Sequence, residues 1–387
     1  MRLRWILAAG VLALACNLGT ISQARSEEVT CEGMDSKELN DMIDKGLAYI
    51  VRQQKPDGHW DANGQYPTTV TGLAGMALLM EGSTIREGKY ADNIRKAVDW
   101  LLQDGRCQKS GPSEGLIGNV KLPAESGHYL YGHGFSTMFL ACVYGEEEDS
   151  DRRKKLEEVL VKAAKYSRSA QTTRGGFGYV AAKDGGNFDE GSCTVPQVQA
   201  ARACRNAGIS MEPGLIKDAM KYLHDCTTPP DNGTGEVKPG GVIYSLSGGG
   251  GGVGSPALTA AAMACGFSAG NYNDRDVKRW IKFLQQQPGL MQGGGGRFGH
   301  DEYTHYYFGQ CVYFLGDDGY KKFFPDAKDS EILTWSNYKK ITFKNLLQSQ
   351  NKSDGSWAGA QVGPIFCTAI YVSLLQMDKA VLPLYQR

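Results

Sequence analysis

Three stretches concentrate the side chains able to move protons or hold a ligand. HYLYGH sets His128 and His133 around Tyr129 and Tyr131. NFDEGSC contributes the adjacent carboxylates Asp189 and Glu190, and DEYTHYY contributes Asp301, Glu302, His305, Tyr306 and Tyr307. Histidine beside a carboxylate suits acid–base work or ligand binding, because imidazole titrates near neutrality and a neighbouring charge moves it across that range. The plainer alternative is that these rings only hydrogen-bond the ends of neighbouring helices. Tyr66 belongs to the same set, whereas His59 and His224 lie in a turn and a polar helix and read as structural.

What positions them is a recurring helical pair. LNDMIDKGLAYIVRQQ, NIRKAVDWLLQ, KLEEVLVKAAKYSRSAQ, LIKDAMKYLHD, DVKRWIKFLQQQ and WSNYKKITFKNLLQSQ carry apolar residues at helical spacing with charges between, the pattern of one wet face. Each is followed by a turn-rich loop and a second, almost uncharged segment, such as TTVTGLAGMALLMEG or GPIFCTAIYVSLLQM, which predicts a helix buried on every face. Proline near the start of three of these (Pro196, Pro256, Pro364) and glycine ending five (Gly82, Gly145, Gly208, Gly270, Gly316) fit helix starts and left-handed stops. The junction motif stands out twice, as Gln54, Asp57, Gly58, Trp60 and as Gln350, Asp354, Gly355, Trp357. Three cysteines among alanines, Cys142, Cys204 and Cys265, lie sixty-two and sixty-one residues apart and read as small core residues. The expected fold is all-α, an (α/α)6 toroid with an outer and an inner ring of six helices, one domain over residues 25–387. Strand evidence is thin: GGVIYS and GGFGYV are short and glycine-flanked. The expected core includes Leu73, Met76, Leu79, Phe139, Val198, Ala201, Leu258, Ala262, Val312, Leu315, Ile370 and Leu374.

In such a ring all six inner helix starts converge on one opening, so the chemistry-bearing stretches meet there. Lys+Arg and Asp+Glu balance at 42 each, which gives no sign of nucleic acid as a partner. MRLRWILAAGVLALAC followed by ISQARSEE reads as a secretory signal cleaved after Ala24, too short an apolar run for a stable membrane span. A lipoprotein site at Cys16 is the poorer match. Nine cysteines then remain, an odd number that leaves at least one thiol unpaired within a chain. The runs SLSGGGGGVGSP and MQGGGGRFG contain no phosphate-loop motif and read as turns between helices.

On the Gln…Asp/Gly-Gly-x-Trp/Phe junctions, the chain resembles the squalene cyclase and protein prenyltransferase superfamily, the terpenoid cyclase-like toroids with prenyltransferase/squalene oxidase repeats, over essentially all of its length from about Leu39. The likeness implies the toroid but leaves chemistry open. The Asp-x-Asp-Asp acid of the cyclases is missing, as is the thioester stretch of complement-type domains. His305 matches the prenyltransferase zinc histidine, but the partner positions are Gly254 and Ser255, and zinc needs three protein ligands. No cofactor is therefore expected, and His305 is expected to act as a hydrogen-bonding or acid–base group in the cavity. His128, His133 and Asp301 remain conceivable ligands from other repeats. Three functions stay open: an exported module binding an isoprenoid-like molecule, a glycan or a protein segment in the central cavity; an enzyme acting on an extracellular polymer, such as a glycan lyase or hydrolase; and a structural protein whose cavity its own side chains fill. The candidate set is His128, Tyr131, His133, Asp189, Glu190, Asp301, His305 and Tyr306.

Overall fold

The computed structural model describes residues 29–248, 252–291, 301–359 and 362–386. The export segment read in residues 1–24 lies outside the described residues, as do the centres of both glycine runs.

Among the described residues twelve long helices alternate outer and inner: α1 (Ser36–Gln53) with α2 (Pro67–Glu81), α3 (Ala91–Leu101) with α4 (Tyr129–Tyr144), α5 (Ser150–Ala170) with α6 (Gly191–Asn206), and α7 (Leu215–Asp225), which leads through β1 (Thr227–Thr228) and β2 (Gly241–Val242) to α8 (Pro256–Ala269). Next come α9 (Arg275–Gln285), the single turn α10 (Pro288–Met291), inner α11 (Asp301–Leu315), the short α12 (Gly319–Phe323), outer α13 (Trp335–Ser349) and inner α14 (Pro364–Leu375). The inner helices pack in the order α2, α4, α6, α8, α11, α14 and back onto α2, while α1 lies against α14, so the ring closes. This is the all-α (α/α)6 toroid.

The charge pattern explains the layering. α2, α4, α8 and α14 carry almost no charged side chain and bury nearly every residue, whereas α3, α7 and α9 bury only one stripe. All twelve expected core residues are buried.

The junction motif is an outer-ring stitch. The Gln54 side-chain amide donates to the Gly58 carbonyl (2.8 Å) and to Asn93 O at the start of α3 (2.9 Å). Gln350 makes the same pair with Gly355 O and Met42 O of α1, both at 2.9 Å, and Gln171 with Gly175 O and Leu215 O of α7. Each turn glycine has positive φ and presses against the next outer helix: a Cβ on Gly58 would stand 2.3 Å from Lys96 O, and one on Gly355 2.5 Å from Lys45 O. The tryptophan then locks the inner helix. Trp60 N–H donates to Thr71 Oγ1 and its indole to Ile50 O; Trp357 repeats this with Thr368 and Leu346.

Three details differ from expectation. Gly145 ends α4 with φ −61°, a right-handed conformation, unlike the other four glycine stops. Pro196 sits inside α6 rather than at its start, because Glu190 caps that helix a turn earlier. GGVIYS does form a ladder, two residues long and antiparallel, pairing Thr227 with Val242 and Thr228 with Gly241.

Candidate functional site

The loops preceding the inner helices are tied to one another around the opening. Tyr66 N–H donates to Ala124 O, Leu130 N–H to Tyr179 O and Gly191 N–H to Tyr244 O. These bonds fix an aromatic wall. His128 stands edge-on to Tyr66 (5.9 Å) and packs on Tyr179 (4.7 Å), Tyr179 packs on Tyr131 (6.0 Å), and the Tyr179 and Tyr244 hydroxyls are 2.6 Å apart. Tyr244 is 40% exposed, and Tyr66, His128, Tyr131 and Tyr179 are half-buried. Tyr66 adopts φ +53°, a left-handed conformation that costs a bulky residue energy and is held only because its neighbours enforce it.

Behind the wall lies Glu190. Its backbone N–H is fixed to Phe177 O (2.9 Å), and its side chain caps α6 by accepting from Cys193 N–H at 2.7 Å. The same oxygen accepts from Ser192 Oγ and lies 3.4 Å from the Tyr131 hydroxyl, which itself bonds Ser192. The other carboxyl oxygen, Oε2, is buried and has no hydrogen-bond partner. Burial raises the Glu190 pKa against the opposing pull of the Ser192 and Cys193 hydrogen bonds. Its charge in turn helps to raise Tyr131, Tyr179, Tyr244 and Tyr303, for which burial is the larger cause. The Tyr303 hydroxyl closes the group by donating to Ser192 O (3.3 Å).

The other expected site residues separate by environment. Asp189, adjacent to Glu190, behaves oppositely. Burial favours its neutral form, but hydrogen bonds from Ser247, Leu246 N–H and Arg174 outweigh it and hold the carboxyl below its usual range. Asp189 is thus an ionised brace for the 245–247 turn, with Leu246 N–H at 2.8 Å and Arg174 at 3.1 Å. His133 and His305 were expected at the opening and instead face the outer ring. His133 Nδ1 accepts from Ile117 N–H (3.1 Å) and Nε2 pairs with Ser167 Oγ (3.0 Å) on α5. That is the slot Thr71, Thr194, Thr259 and Thr368 fill elsewhere in the ring, so its imidazole stands in for a hydroxyl. His305 Nδ1 lies 3.0 Å from the Tyr338 hydroxyl on α13. Burial pushes both imidazoles down to about 4, so both are neutral at pH 7. Asp301 and Glu302 occupy the first turn of α11. Tyr306 is buried deeper, its hydroxyl 3.2 Å from that of Tyr385. His59 is braced by Asp57 and Asp61 over Trp100, and His224 by Asp276, both structural.

Tyr179, Ser192, Tyr244 and Tyr303 were absent from the candidate set. A signal for two of them existed: GGFGY and GGVIY place a tyrosine two residues beyond the same junction slot. Among the described residues no group of three or more His, Cys, Asp or Glu could hold a metal ion. The nine described cysteines are all free thiols, and Cys142 alone of them is not fully buried.

No protein-family model and no curated protein matches the chain. Solved structures do. A type II terpene cyclase from Scytonema superposes with TM-score 0.55 at 14% identity, covering 89% of this chain and 97% of that one. The fold is the α/α toroid that this cyclase also has. The same architecture carries sugar-active enzymes. The GH76 α-mannanase BT2949 of Bacteroides thetaiotaomicron gives TM-score 0.57 at 10% identity over 88% of this chain and 95% of its own. An unsaturated glucuronyl hydrolase from Streptococcus agalactiae gives 0.57 at 12% identity over 95% and 98%. At these identities the toroid is shared and the chemistry is not thereby transferred. No described helix is long and apolar enough to cross a membrane.

Proposed function

We propose that this toroid binds a glycan chain across its aromatic opening, as an exported protein whose signal is read from residues 1–24. The observation that carries the reading is the wall of Tyr66, His128, Tyr131, Tyr179 and Tyr244, whose rings stay partly open above a polar floor. Aromatic faces supply large, rigid contact area, and tyrosine hydroxyls add hydrogen bonds, a combination suited to sugar rings with apolar faces and polar rims. An isoprenoid-like ligand is a poorer fit at this end. Below the wall, Tyr303, Tyr307 and Tyr306 pack edge to face through the ring interior and leave little for a long apolar chain to displace. Two of the toroid neighbours are named as sugar-active enzymes.

The test is isothermal titration against soluble mannan, xylan, dextran and laminarin oligosaccharides. Tyr179→Ala and Tyr244→Ala should each weaken binding about tenfold, the ~1.4 kcal/mol of one lost aromatic contact. Unchanged affinity in both variants would place any glycan elsewhere.

A second reading, an enzyme acting on that glycan, is favoured by Glu190. A carboxyl whose pKa burial raises, with one oxygen unpartnered, has the character of a general acid. Reducing-end release that disappears in Glu190→Gln while binding persists would establish it. Binding without turnover leaves the module reading.

A further inference from the structure

The opposite end of the ring is closed by the chain's own C-terminus. After α14 the chain turns through Ala380, in a left-handed conformation (φ 46°), and passes under the C-terminal ends of α2, α4 and α6. Leu382, Leu384 and Tyr385 are buried there, and Tyr385 reaches inward to Tyr306 of α11, hydroxyl to hydroxyl at 3.2 Å. Backbone attachment is slight: among the described residues the only main-chain bond from this tip is Tyr385 N–H to Leu382 O, within the segment itself. An apolar crevice of about 100 Å³ remains between the tail and Leu79, Ala141, Cys142 and Ala203.

Above Tyr385 the interior is polar and incompletely satisfied. Gln199 Nε2 donates to Gln310 Oε1 at 2.7 Å, yet Gln199 Oε1, Gln310 Nε2 and the Tyr307 hydroxyl are buried without partners. The Tyr306 hydroxyl lies close to both the Gln310 amide and Tyr385. Buried donors and acceptors left open in this way cost free energy unless water or a ligand meets them.

We propose that the end of the ring interior now filled by Leu384–Tyr385 is a binding site for a small amphiphile with an apolar body and a hydroxyl or phenol head, and that the tail occupies it in cis as a displaceable stopper. The tail already presents that chemistry: an isobutyl group against the crevice and a phenol against Tyr306. A ligand entering from this end would release the tail, set its own hydroxyl on Tyr306 and leave the aromatic opening untouched. Its site is therefore independent of glycan binding.

The test uses full-length protein and 4-hexylphenol, followed by hydrogen exchange. Saturating probe should speed exchange at Leu384–Gln386 about tenfold, as expected when a ligand competes with a closed state, with α6 and α11 unchanged. Tyr385→Ala should bind the probe about tenfold more tightly, because competition is removed. Gln310→Leu should cancel that gain if the polar head is read. Unaltered tail exchange at saturation would overturn the proposal. So would a Tyr385→Ala gain that Gln310→Leu leaves intact, since that describes a greasy hole and not a site. If Tyr385→Ala fails to fold, the exchange of the unmodified chain decides alone.

Discussion

Truncating the junction tryptophans tests whether the two motifs hold the ring together, and the structure separates their magnitudes. Trp357 is 1% exposed, packs on Tyr371 at 5.9 Å and covers Gly46 of α1, so Trp357→Ala opens a cavity at the ring closure. The expected loss is about 3–5 kcal/mol, the cost of a buried aromatic truncation. Its indole partner, Leu346 O, also receives Gln350 N–H and so is not left bare. Trp60 is 0% exposed and its indole bonds Ile50 O, a carbonyl in the last turn of α1 where Gln54 N–H has swung to Val51 O instead. Trp60→Ala therefore strands a buried acceptor and should cost about 1–2 kcal/mol more than Trp357→Ala. With an unfolding entropy of ~2.1 cal/mol/K per residue, 3–5 kcal/mol lowers the melting midpoint of a chain this size by about 4–7 °C. Melting followed by circular dichroism at 222 nm reads this directly. Midpoints within about 1 °C of the unmodified protein for both variants would mean that the tryptophans are not the locks described here.

Other outcomes follow from the same geometry. Gly355→Ala should destabilise by about 2–4 kcal/mol, because its φ of 82° disfavours a side chain and the new Cβ meets Lys45 O; denaturant midpoints check it. Burial pushes the folded pKa values of His133 and His305 down to about 4, against the ordinary imidazole value of 6.5. Their contribution is present above pH 6.5 and is lost as pH falls through 4. His133→Thr, which keeps an acceptor for Ile117 N–H, should flatten the acid side of a midpoint-against-pH curve between those values. Glu190 shifts the other way, so its burial costs stability as pH rises above its ordinary range. Glu190→Gln should gain midpoint relative to the unmodified protein at pH 8 and lose that gain near pH 4. His305→Ala should lower stability through Tyr338 and leave glycan affinity unchanged, which titration calorimetry checks.

The toroid was legible because its determinants are local and repeated. Charge-free helices must be buried, glutamine must find carbonyls at a helix end, and a glycine at positive φ marks each tight turn. The opening was only partly legible, because it is assembled from residues whose environments the sequence does not display. Asp189 and Glu190 are neighbours in sequence with opposite fates: one gathers hydrogen bonds from Ser247, Leu246 and Arg174, the other is buried with a bare oxygen. His305 carried the strongest motif signal, yet helical phase turns it toward Tyr338 rather than the interior. His133 could be assigned only once Ile117 N–H was seen in the slot that threonine serves in other pairs. The C-terminal tail gave no signal, since three apolar residues at a chain end look alike whether they fray or plug a ring.

Hydrogen exchange with and without a bound oligosaccharide tests the central claim most directly, because it reports where the sugar sits without presuming which residues matter. The glycan that titrates best should slow exchange at Tyr129–Tyr131, at 178–180 and at 191–193 and 244–246, the backbone around the aromatic wall. Protection confined to the outer-ring grooves or to the C-terminal tail, with those four segments unchanged, would contradict it.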